Sequence, residues 1–165
     1  MGRHHAPEAD LRRERAHLVA VVVEQPGLGP PLEERAAVVA ADDLLAETGR
    51  LDRRVADETG TGRGLGHNIN YPLPLRADDD LYVSALADAC ERIAGFGPSL
   101  LIVSLGLDTY ITDPISDLAV TTDGMRRSGE VVRQLGMPTV VLQEGGYDVS
   151  ALGANVQAWL SGLGA

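Results

Sequence analysis

A chain of 165 residues, 44% of them hydrophobic, is long enough for one ordinary soluble domain with its own core. Its 24 acidic and 14 basic residues leave a net charge of −10, which argues against duplex DNA or an anionic membrane as the main partner. Cys90 is the only cysteine, so no intramolecular disulfide or thiolate metal cluster can form, and no apolar run approaches the roughly 20 residues of a membrane span. The start, Arg3 and then acidic residues, does not read as a signal peptide, and a cytoplasmic location is the default expectation.

In chain order, the charged cluster Arg12 to Arg15 precedes Leu18 to Val23, an apolar run that reads as a strand. Gln25 to Pro31 is a Gly/Pro turn region. Glu33 to Thr48, rich in Ala, Leu and Glu, is expected to be helical, with Gly49 as its stop. The chain divides near residue 55, with 1–54 as a divergent segment of strand plus helix. The helix expected from about Asp79 to Gly95 places Leu86, Ala89, Cys90 and Ile93 on one face, and Gly97-Pro98 prevents its continuation. Cys90 is thus expected to be a small buried apolar residue. Leu100 to Val103 is continuously apolar, as a strand covered on both faces would be. Thr121 or Thr122 can cap the next helix, whose inward face is Met125, Gly129, Val132 and Leu135, with Gly136 ending it. Thr139 to Leu142 reads as another buried strand, and Ser150 is the expected cap of a last helix that turns Leu152, Val156 and Trp159 inward. Strands alternating with helices of this length predict an α/β fold with right-handed crossovers and a parallel sheet.

Chemistry in such folds gathers where strands finish. Asp108 and Tyr147 occupy two such positions, in Ser104-Leu105-Gly106-Leu107-Asp108 and Gln143-Glu144-Gly145-Gly146-Tyr147. Asp108 can bind a divalent ion or cap a turn. Tyr147 can be a partly buried aromatic, or a phenol that donates to a developing oxyanion, with the glycines allowing close backbone approach. Asp113-Pro114 reads as structural, its carboxylate accepting backbone N–H groups. The glycines from Gly60 to Gly66 imitate a nucleotide loop but lack the preceding strand, the following helix and the Walker Lys. His67 in that loop is either a ligand or a solvated side chain.

Ala56-Asp57-Glu58-Thr59-Gly60, Asn68 to Pro74, Ser104 to Tyr110, Asp113-Pro114-Ile115, Leu118 to Thr122 and Glu144-Gly145-Gly146-Tyr147 resemble, in order and spacing, the histone deacetylase family, and within it the bacterial acetylpolyamine amidohydrolases. The resemblance covers about residues 55–165, the carboxyl-terminal part of a family domain. It implies part of an arginase-like three-layer α/β fold, a parallel sheet with helices on both faces. It also implies Zn²⁺-dependent hydrolysis of acetyl-amides, with acetyl-lysine or an acetylated polyamine as substrate. By the same resemblance Asp108 matches a zinc ligand and Tyr147 the oxyanion donor. Gly145 and Gly146 would line the substrate tunnel, with Ile115 near its wall.

The departures are as specific. The family's Asp-x-His ligand pair occurs nowhere in this sequence. His4-His5-Ala6 resembles the family's His-His dyad but lacks the expected continuation. The resulting expectation is a chain that is inactive or nearly so alone. The alternative is a non-catalytic α/β module, either a remnant or a subunit that pairs with another chain, and the partner expected in that case is a second copy in a homo-oligomer or a complementing chain.

Overall fold

The computed structural model describes residues 17–23, 36–42, 59–62 and 65–165. Its elements are β1 (His17–Val23), β2 (Ala36–Asp42), β3 (Asn68–Pro72), α1 (Asp79–Phe96), β4 (Leu100–Leu105), α2 (Thr122–Arg133), β5 (Thr139–Gln143) and α3 (Val149–Leu163). The five strands form one sheet in the order β3-β1-β2-β4-β5. β2, β4 and β5 run parallel, whereas β1 is antiparallel to both β2 and β3. The α/β class therefore stands, but the sheet is mixed rather than wholly parallel. Strands from both sides of residue 55 share it.

One expected helix is a strand. Ala36–Asp42, at the centre of the segment expected to be helical, is β2, held between β1 and β4. A run of six Ala and Val residues before Asp42 carries no decisive periodicity, and pairing on both sides satisfies its backbone in the sheet despite the helix propensity of Ala.

The other elements follow their sequence signals. Asp78 caps α1, accepting from the Leu81 N–H, and Gly97 closes it in the left-handed conformation at φ 70°. Thr121 caps α2, accepting from the Gly124 N–H. The cap of α3 is Asp148 rather than Ser150: its carboxylate accepts from both the backbone N–H and the hydroxyl of Ser150. A carboxylate is the better acceptor at the positive end of a helix.

Burial alternates along β4, with Leu101, Val103 and Leu105 facing the core. Leu86, Ala89, Cys90 and Ile93 of α1, Met125 and Val132 of α2, and Trp159 of α3 meet them there. Burial pushes the Cys90 thiol up to about 11, so it behaves as the small apolar residue expected. The described helices share this one face of β4, while Val140 and Leu142 of β5 are exposed. A second helical layer is not among the described elements. α2 and α3 cross where Gly129 meets Gly162: a Cβ on Gly129 would lie 2.1 Å from the Trp159 carbonyl oxygen, and one on Gly162 2.0 Å from that of Arg126. Among the described residues no helix is long and apolar enough to cross a membrane.

Candidate active site

Because β4 and β5 are parallel neighbours, their carboxyl ends open at the same edge of the sheet. The ladder continues beyond both strands: the Glu144 N–H donates to the Leu105 carbonyl at 3.0 Å, and the Leu107 N–H to the Gly145 carbonyl at 3.2 Å. Two loops that are distant in sequence are thereby stitched side by side. Asp108 is only 7% exposed, and its carboxylate lies against the bare Cα of Gly145, where a Cβ would stand 2.2 Å from Oδ2. Gly146 is required for two reasons. Its φ of 122° is closed to most side chains, and a Cβ would press on Leu107 and Leu152. The glycine pair thus lets one loop close over Asp108 and Leu107.

Asp113 is the clamp between the loops. Its Oδ2 accepts from the backbone N–H groups of Tyr147 at 2.6 Å and Asp148 at 3.0 Å, while Oδ1 accepts from the Ile115 N–H at 3.1 Å. This is the structural role expected of it. It also fixes the backbone of Tyr147, whose side chain is 56% exposed above the sheet edge. The Thr112 hydroxyl adds a second tie by donating to Asp148. Hydrogen bonds from Ser150 and then from Thr112 hold the Asp148 carboxyl below its usual range.

Behind Asp108 sits Tyr82 of α1, buried. Burial first, and the Asp108 charge second, push its phenol upward, so it stays protonated at neutral pH. Sequence reasoning missed Tyr82, because an aromatic in the first turn of a helix carries no signal of what it will face. It also missed Asp42. Reading 36–42 as helix concealed that β2, parallel to β4, ends in an acidic residue at this same sheet edge.

Of the other expected site residues, Ile115 is exposed in the turn after Asp113. His4 and His5 lie outside the described residues. His67 lies just ahead of β3, with its ring edge-on to Phe96. Among the described residues no group of three or more His, Cys, Asp or Glu could hold a metal ion. A catalytic zinc takes about three protein ligands, so the described residues do not fit that ion by themselves.

The family model of the histone deacetylase domain matches residues 52–163, the stretch that builds β3 through α3. The chain belongs to the histone deacetylase family. It is 43% identical over 109 residues to the acetylpolyamine amidohydrolase of Burkholderia pseudomallei, covering 66% of this chain and 32% of that protein. It is 45% identical over 129 residues to acetylpolyamine amidohydrolase 1 of Pseudomonas aeruginosa, covering 73% of this chain and 37% of that one. The crystal structure of an acetylpolyamine aminohydrolase from Burkholderia pseudomallei superposes with a TM-score of 0.64 at 43% identity, over 67% of this chain and 32% of the other. The fold is therefore that of the deacetylases, and the chain spans about a third of the length of these relatives.

Proposed function

We propose that residues 55–165 carry one part of a deacetylase centre that hydrolyses acetyl-amide bonds of the acetylpolyamine or acetyl-lysine type. Asp108 is the metal-ligand position. Tyr147 is the donor whose phenolic O–H would hydrogen-bond the oxyanion developing on the acetyl carbonyl. The observation that carries this reading is the apposition of the two loops: Asp108 packs on Gly145, and Asp113 holds the backbone N–H of Tyr147. Gly145 and Gly146 are proposed to flank the acyl end of the substrate, with Ile115 farther out. Since the described residues do not complete a zinc site, we propose that the chain alone is inactive or nearly so.

A second reading has its own support. A chain spanning a third of its relatives, with an acidic site position but, among the described residues, no metal-binding group of three, suits a non-catalytic module or a subunit that pairs with another chain.

A chimera separates the two. Residues 55–165 would replace the matched third of the Burkholderia pseudomallei relative, and hydrolysis of acetylated polyamine and acetyl-lysine reporters would be followed. The first reading predicts an active chimera. Tyr147→Phe in it should lower kcat by about 10²–10³ with little change in KM, and Asp108→Asn should abolish metal retention. A folded chimera without turnover, or one indifferent to Tyr147→Phe, would favour the non-catalytic module.

A further inference from the structure

The buried residues of α3 are Asn155, Trp159 and Gly162. Asn155, only 1% exposed, brings an amide into this face, which costs free energy unless the amide is hydrogen-bonded. The hydroxyl of Thr122, the first residue of α2, donates to its Oδ1 at 2.8 Å. The Tyr110 hydroxyl lies 3.5 Å from the same Thr122 oxygen. A leucine at 155 would fill similar space with no amide to desolvate, so what the asparagine adds is a fixed partner rather than burial.

That partner stands next to the Asp108 loop. Two residues before Thr122, Val120 forms a parallel bridge with Tyr110. Its N–H donates to the Thr109 carbonyl at 3.3 Å, and its carbonyl accepts from the Ile111 N–H at 2.9 Å. Val120 thereby grips the backbone on both sides of Tyr110. Between Val120 and Thr122, Thr121 is held by Asp79 of α1, whose carboxylate accepts from its N–H at 2.7 Å and its hydroxyl at 2.6 Å. Val120 to Thr122 is thus a short strut, fastened to α1 by Asp79 and to α3 by Asn155.

The same helix follows Tyr147. Asp113 and Thr112 already tie the Asp108 loop to its amino end, at Tyr147 and Asp148. Asn155 lies two turns beyond Asp148, on the same side and about 10 Å along the axis. A loop tied to a helix at one point can pivot about it; tied at two separated points it cannot.

We infer that Asn155 is a positioning residue: through Thr122 and Val120 it fixes the angle at which the Asp108 loop faces the Tyr147 loop. The role rests on the proposed deacetylase reading only in that Asp108 and Tyr147 carry the chemistry. Because the loops can be followed without turnover, an inactive chimera would count against that reading alone.

Backbone amide exchange of the whole chain, followed by NMR, is the test. Thr122→Val keeps the side-chain shape and removes the hydroxyl. It should speed exchange at Leu107 and Ile111, whose N–H groups donate to Gly145 and Val120, at least about tenfold more than at the α1 amides. Thr122→Ser, which keeps the hydroxyl, should leave both amides at their original rates. Ser128→Ala removes another buried hydroxyl of α2, one that donates to the Gly124 carbonyl at 2.8 Å within the helix, and should not single out the loop. A Thr122→Val chain in which Leu107 and Ile111 keep pace with α1 would overturn the inference. So would a Thr122→Ser chain that loosens as Thr122→Val does, or the same loop pattern in Ser128→Ala. Thr122→Val breaks the bond without touching the core, so the answer does not depend on whether an Asn155→Leu chain folds.

Discussion

Asp113 carries more of the site's architecture than its position in a turn suggests, because three backbone N–H groups from two loops converge on one carboxylate. Asp113→Ala leaves those donors without their charged acceptor and is expected to cost about 1–3 kcal/mol in urea unfolding. Tyr147 and Asp148 should then show faster amide exchange, while the α1 amides stay protected. Gly145→Ala should cost a similar amount, about 1–3 kcal/mol, since its methyl group would drive into the Asp108 carboxylate. At Asp148 the folded carboxyl titrates below its unfolded value, so its contribution is present above the ordinary carboxylate range. It is lost as pH falls from about 4 through that lower value. Thermal melts from pH 5 to pH 2 should therefore show part of the acid destabilisation removed in Asp148→Asn. At this scale much was legible in the sequence. Asp108, Asp113 and Tyr147 stood at strand ends, in loops with too much punctuation to be helices. The stitching of those loops was not legible, because it depends on hydrogen bonds between positions 34 or more residues apart, from Tyr147 to Asp113 and along the Glu144–Leu105 and Leu107–Gly145 ladder.

Among the elements, the contact most sensitive to a single methyl group is the crossing of α2 over α3. Gly129→Ala and Gly162→Ala each place a carbon about 2 Å from a carbonyl oxygen, so the helices must separate. Each is expected to lower stability by about 1–3 kcal/mol, read as a shift in urea midpoint. Gly95→Ala, with open space around it, should shift the midpoint little. The inward stripe Met125, Gly129 and Val132 was readable from helical spacing, and so was the α1 face from Leu86 to Ile93. β2 was not. Ala-rich sequence favours a helix in isolation, and pairing on both sides, antiparallel with β1 and in parallel register with β4 from Ala36 beside Leu100 to Ala40 beside Ser104, makes it a strand. The cap of α3 was displaced by two residues for a related reason. Ser150 has cap chemistry, but Asp148 offers a charged acceptor that the Thr112 hydroxyl also reaches.

The whole molecule joins a recognisable deacetylase segment to two strands that lie outside the family match, and one sheet holds both. What the match supplies is a pair of loops, one with an acidic residue and one with a phenol. Among the described residues it does not supply a metal-binding group of three. That imbalance is the basis for expecting little activity from the chain alone, and it makes metal content the decisive quantity. Zinc per chain should be measured by mass spectrometry after equilibrium dialysis against zinc-free buffer. The expected value is far below one per chain, because a single carboxylate holds zinc weakly. One zinc per chain, retained through dialysis and lost in Asp108→Asn, would show a complete metal centre and contradict the account.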